Sequence, residues 1–183
     1  IFQIEGRGYM NKQFKSKSEL FYYLMHGYMY MLEDVPTKKG IQKRLKDNEL
    51  EQSLKSQISE QLKIDGLGVE LKLGPAYNRT ENPWIQLYTS ENKSGTKGRY
   101  VGISFERDKN EVELWIGFGR TAKKQAEILE LAKDYRIKYS FIESELKNNF
   151  KYNENCYDAI IIEKKINIKD FKDSEFEEDL IYI

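Results

Sequence analysis

Cysteine and histidine are almost missing from this chain of 183 residues, in which Cys156 and His26 are each the sole residue of their type. One cysteine builds neither a disulfide framework nor a thiolate metal cluster, and one histidine supplies neither a zinc site nor a His-based triad. Proline is limited to Pro36, Pro75 and Pro83, and no Pro/Ser/Gly-rich linker divides the chain. No apolar run approaches the ~20 residues of a transmembrane span, and no signal-peptide pattern is present. The phosphate-cradling pattern G-x-x-x-x-G-K-[ST] is absent. Gly66-Leu67-Gly68 and Gly117-Phe118-Gly119 fall short of a dinucleotide fingerprint and read as strand ends or bulges. The expectation is a soluble cytoplasmic domain with no membrane partner, no cofactor, no metal and no catalytic residue.

What is present is charge and aromatic surface. Charged residues make up 33% and aromatics 13%, including 13 tyrosines, enough bulky side chains for one well-packed domain. Tyr joins a flat apolar body to a polar tip, which suits cores, wet interfaces and base stacking alike. The net charge of zero hides a gradient. Residues 170–183 hold six acids and one Lys, leaving 29 basic against 24 acidic residues elsewhere. The body is therefore mildly basic and compatible with a phosphate backbone.

Residues 1–9 contain the protease-site string IEGR (Ile4 to Arg7) ahead of Met10 and read as a tag remnant. Residues 10–183 read as a single domain, with a helical part over 10–65 and a sheet-containing core over 66–183. Ser18 is the expected N-cap of a helix through ELFYYLMHGYMYMLED that Pro36 ends. TKKGIQKRLKD and NELEQSLKSQISEQLKI follow as further helices, the second with Leu50, Leu54, Ile58 and Leu62 on one face. Alternation then predicts strands in GVELKLG, PWIQLYT, RYVGISFER and EVELWIGFG, with a tight turn at RDKN. A long helix from Thr121 to about Asn149 comes next, followed by a fifth, central strand in CYDAIIIEKKI. From Ile168 an acidic helical pattern carries Phe171, Phe176 and Leu180 and stops as if cut from a longer helix. The expected fold class is α+β: a mostly antiparallel sheet with N-terminal helices, one long helix after the fourth strand, a fifth strand and a terminal helix.

Three groups of residues carry candidate chemistry. Asp158, Glu163 and Lys165 spell D-x4-E-x-K, close to the pattern of Mg²⁺-dependent nucleases. Asp158 and Glu163 are five apart on a strand, so they point to opposite faces, and the bland reading is a solvated strand end. His26 and Cys156 read as packed residues. The loop NKSGTKGRY offers Lys93, Ser94, Thr96, Lys97 and Arg99 as contacts to a nucleic-acid backbone, although basic Gly/Ser loops are common on any surface.

The central block VELKLGPAYNRTENPWIQLY and GRYVGISFERDKNEVELWIGFG, marked above all by Pro83-Trp84, resembles the N-terminal domain of the McrB family. Glu178-Asp179-Leu180 match that family's acidic E-x-D-L ending. The resemblance covers residues 66–183 well and the N-terminal part only in outline. It implies a DNA-binding module of a modification-dependent restriction protein, which recognises methylated or hydroxymethylated cytosine by flipping the base into an aromatic pocket. Tyr77, Trp84 and Tyr100 fall at the pocket positions, Tyr77 only with a one-residue gap. Ser104 stands where the family has an apolar residue, which leaves the preferred modification open. The implied partners are double-stranded DNA containing a modified cytosine and the remainder of a larger protein with GTPase and nuclease components. A Mg²⁺ nuclease on Asp158, Glu163 and Lys165, and a protein-interaction module using the acidic end, stand as alternatives.

Overall fold

The computed structural model describes residues 13–76, 78–89, 99–118, 127, 130, 131, 133, 134, 149–152 and 160–183. Helix α1 (Lys17–Tyr22) is capped by Ser16, two residues ahead of the expected Ser18. The Ser16 hydroxyl oxygen accepts from Glu19 N at 3.1 Å, and the Glu19 carboxylate accepts from Lys15 N at 3.0 Å. This is the reciprocal logic of a capping box, which satisfies donors that a helix start leaves open.

The helix does not run on to Pro36. It loosens into a π turn (Tyr23–Gly27), tightens into a 3₁₀ turn (Tyr28–Met31) and leaves as strand β1 (Leu32–Thr37). Apolar side chains around the whole circumference force this wrapping, since Leu20, Phe21, Tyr23, Leu24, Met25 and Tyr28 are all buried. Pro36 lies inside β1, which among the described residues pairs on one side only, and an edge strand tolerates its missing N–H.

The segment TKKGIQKRLKD is not a helix. Its greater part forms strand β2 (Gly40–Leu45), antiparallel to β1 in a separate two-stranded sheet. Gly40 has φ of +122°, which an L side chain rarely adopts, and the Thr37 hydroxyl closes the turn by donating to Gly40 O at 2.8 Å. Helix α2 (Asn48–Gln61) matches expectation: Asp47 caps it by accepting from Glu49 N, and Leu50, Leu54, Ile58 and Leu62 are buried.

The main sheet comprises β3 (Gly68–Lys72), β4 (Trp84–Tyr88), β5 (Arg99–Glu106), β6 (Glu111–Phe118), β7 (Lys151–Tyr152) and β8 (Ile160–Asn167). Its order is β3-β4-β5-β6-β8-β7, and every pairing is antiparallel. The expected fifth strand is β8, which lies inside the sheet between β6 and the two-residue β7. The expected turn at RDKN is a 3₁₀ turn closed by Asn110 in the left-handed region. Of the long helix expected over 121–149, helical geometry is described at residues 127, 130, 131, 133 and 134, and most of that span lies outside the described residues. The terminal helix α3 (Asp173–Tyr182) starts five residues after Ile168. The fold is thus α+β with a mostly antiparallel sheet, although the first 65 residues include the β1–β2 hairpin as well as helices.

One hydrophobic cluster joins α1, α2 and α3 to one side of the main sheet. Leu71, Ile85, Leu87, Ile103, Phe105, Val112 and Leu114 supply the sheet's part of it. Phe21 is central, with ring centroids 5.5 Å from Phe105, 5.4 Å from Phe171 and 5.3 Å from Phe176. Burial of each such side chain contributes about 1.5–3 kcal/mol. Polar contacts fix how α3 docks: the Asp173 carboxylate accepts from Lys17 N and Ser18 N at the start of α1. Buried Asp179 pairs with Lys164 of β8.

Candidate functional site

Period-two alternation places Val101, Ile103 and Phe105 of β5 on the core side, so Tyr100, Gly102, Ser104 and Glu106 share the opposite face. Register extends that face sideways. Gln86 pairs with Gly102, which pairs with Trp115, while Ser104 pairs with Glu113 and Glu113 with Lys165. Trp84 and Tyr88 flank Gln86 on the same face of β4.

Three aromatic rings converge there. Trp84 and Tyr100 have centroids 5.9 Å apart, Trp84 and Trp115 5.9 Å, and Tyr100 and Trp115 5.5 Å in an edge-on arrangement. Gly102 makes room for them, because a Cβ at that position would lie 2.2 Å from the Trp115 ring. Trp115 is 9% exposed and forms the floor, whereas Trp84 and Tyr100 are half-buried.

A polar chain leads away from the rings. Trp115 Nε1 donates to Ser104 Oγ at 2.9 Å, and Ser104 Oγ donates to Glu113 Oε2 at 3.0 Å. Lys165 Nζ stands 3.2 Å from Glu113 and 3.4 Å from Glu106. Burial pushes the Glu113 carboxyl above its ordinary range, against the opposing pull of the Lys165 ammonium and the Ser104 hydroxyl. Burial works to lower Lys165, but the carboxylates of Glu113, Glu163 and Glu106 outweigh it and hold the ammonium high. The Ser104 hydroxyl is therefore engaged in orienting an indole.

Of the residues the sequence singles out, Trp84, Tyr100 and Ser104 come together on this face. Tyr77, Lys93, Ser94, Thr96, Lys97, Cys156 and Asp158 lie outside the described residues. Arg99 opens β5 opposite Phe118. Glu163 and Lys165 share the outer face, but among the described residues no group of three or more His, Cys, Asp or Glu could hold a metal ion. His26 packs against Tyr22 with ring centroids 4.7 Å apart. Burial lowers its pKa, a hydrogen bond with Asn110 opposes that, and the Arg107 cation adds to the lowering. Both observations fit the reading of His26 as a packed residue. A cleft of about 370 Å³ beside Lys17, Leu62, Glu177 and Leu180 lies in the helical layer, away from this face.

Trp115 and Gln86 belong to the site and were not singled out from sequence. Alternation in EVELWIGF puts Trp115 opposite Val112, Leu114 and Ile116. Its convergence with Trp84 and Tyr100 depends on the Gly102–Trp115 register, which no local pattern encodes. A planar aromatic surface with hydrogen-bonding groups at its margin is suited to stacking a flat, polar-edged ring. Comparison of the chain with protein-family models, with curated proteins and with solved structures finds no match.

Proposed function

We propose that this domain is the DNA-recognition module of a modification-dependent restriction protein and reads a modified cytosine extruded from the duplex. The observation that carries the reading is the Trp84–Tyr100–Trp115 group on the sheet face turned away from the core. The rings touch one another in the unbound domain, so an extruded base stacks first against Trp84 and Tyr100, the more exposed of the three. Stacking contributes about 1–3 kcal/mol per base, which offsets much of the unstacking cost of flipping. A 5-methyl group packed against the rings adds only about 0.8 kcal/mol, so discrimination by methyl alone is modest.

The β4–β5 connection carries Lys93 and Lys97, and Arg99 follows it at the start of β5. The connection joins the strands that hold Trp84 and Tyr100, which suits contact with the flanking phosphates. In the full protein, GTPase and nuclease components would act on what this module finds. Titration of duplexes carrying cytosine, 5-methylcytosine or 5-hydroxymethylcytosine tests the proposal. The expected result is tighter binding of a modified duplex, with affinity falling as salt rises. Tyr100→Ala is expected to reduce the preference for modified DNA about 5- to 100-fold while largely sparing binding to unmodified duplex. Equal affinity for all three duplexes would sink the proposal.

A further inference from the structure

Gln86 sits in the middle of the aromatic face and is 0% exposed. Neither its amide nitrogen nor its amide oxygen has a hydrogen-bond partner among the described residues. Its neighbours explain the isolation. On one side stands Gly102, which has no side chain, and on the other Glu70, which is paired with Lys72 at 2.7 Å. The Trp115 ring fills the space above Gly102, and the Tyr88 ring lies over Gly68, 2.5 Å from where a Cβ would stand. Gln86 is thus bordered by rings, by a glycine and by a carboxylate already engaged with Lys72. Burying an unpaired donor and acceptor is costly, and an apolar residue of the same shape would avoid that cost.

A carboxamide presents an acceptor and a donor side by side. That is the complement of a nucleobase edge, where an amino or carbonyl group adjoins a ring nitrogen. We propose that Gln86 is the residue that reads the hydrogen-bonding edge of the extruded base, an inference that rests on the DNA-recognition reading above. Entry of the base parts the Trp84–Trp115 contact, with Trp84, the more exposed of the two, as the ring that yields.

The chemistry sets a limit on what Gln86 selects. Its amide can turn over, so it serves the amino edge of cytosine or the carbonyl edge of thymine equally well. What it does not serve is an edge from which one partner has been removed. Gln86 therefore demands an intact donor–acceptor pair and is indifferent to the 5-substituent, which falls to the rings.

The test compares duplexes with 5-methylcytosine, cytosine or 5-methyl-2-pyrimidinone, which lacks the 4-amino group, at one target position. The wild-type chain is expected to favour 5-methylcytosine over the pyrimidinone about 10- to 100-fold. In Gln86→Met that ratio is expected to collapse towards one, with the preference for 5-methylcytosine over cytosine retained and the melting temperature unchanged or raised. An unchanged pyrimidinone ratio in Gln86→Met overturns the inference. So does a lowered melting temperature or loss of folding, since either makes the amide a structural group. A wild-type chain that does not distinguish 5-methylcytosine from cytosine removes the DNA-recognition reading itself, a different failure from the first two.

Discussion

On one face of the main sheet Leu71, Ile85, Leu87, Ile103, Phe105, Val112 and Leu114 are sealed by helices in a largely apolar contact that also takes in the Lys164–Asp179 pair. On the other face Trp84, Gln86, Tyr100, Ser104, Glu113 and Trp115 combine half-buried rings, a relay of hydrogen bonds and an unpaired amide. The same strands carry both sets at alternate positions. The inner strand residues are all apolar, whereas the outer set retains features that folding alone disfavours, namely a buried carboxylate with a raised pKa and an orphaned amide. Such departures from local consistency concentrate where a chain has something other than its own stability to serve.

Substitutions on the two faces should separate these roles. The largest effect is expected from Ile103→Ala on the inner face, where the side chain is 0% exposed. A loss of about 2–5 kcal/mol in denaturant unfolding, with the m-value unchanged, is the expected outcome. A loss well under 1 kcal/mol would mean that this face is not the packed core.

Gly102→Ala joins the two faces, because its new methyl meets the Trp115 ring while its backbone stays in the sheet. Displacement of the indole is expected to cost about 1–3 kcal/mol and to break the Trp115–Ser104 bond, shifting tryptophan fluorescence. Unaltered fluorescence would contradict the close approach.

The smallest effect is expected from Glu113→Gln, and it depends on pH. The folded carboxyl titrates above its ordinary value near 4.5, so it stabilises the fold fully below that value. That contribution is lost as pH climbs through the raised pKa. The Gln variant lacks this loss, so thermal melts should show it gaining on the wild type as pH rises through the carboxylate range and holding its lead above. A difference that shrinks with rising pH would mean that the Lys165 pairing, not burial, dominates.

Some of this was legible locally. The four-residue spacing of Leu50, Leu54, Ile58 and Leu62 set the buried face of α2, and alternation placed β3 to β6. The same alternation separated Tyr100 and Ser104 from Ile103 and Phe105. The β1–β2 hairpin was not legible. Its lysines and Gln42 suit a helix as readily as a strand, and a hairpin of this size is marginal alone. Contacts from a distant segment hold it, with Asn78 Oδ1 accepting from Lys43 N at 3.2 Å and Lys43 O accepting from Arg79 N at 2.8 Å. Likewise the first helix could not be seen to break before Leu32, because Tyr23, Met25 and Tyr28 are drawn into a core made by other elements.

Period and capping are properties of neighbouring residues, so the chain alone settled strands β3 to β6 and β8, where α2 lies and which residues of those strands share a face. It could not settle which face becomes interior, since that depends on where α1, α2 and α3 dock. Nor could it bring Trp84, Tyr100 and Trp115 together over Gly102. Register across three strands does that, and register is set by burial of the opposite face rather than by any property of the aromatic residues themselves.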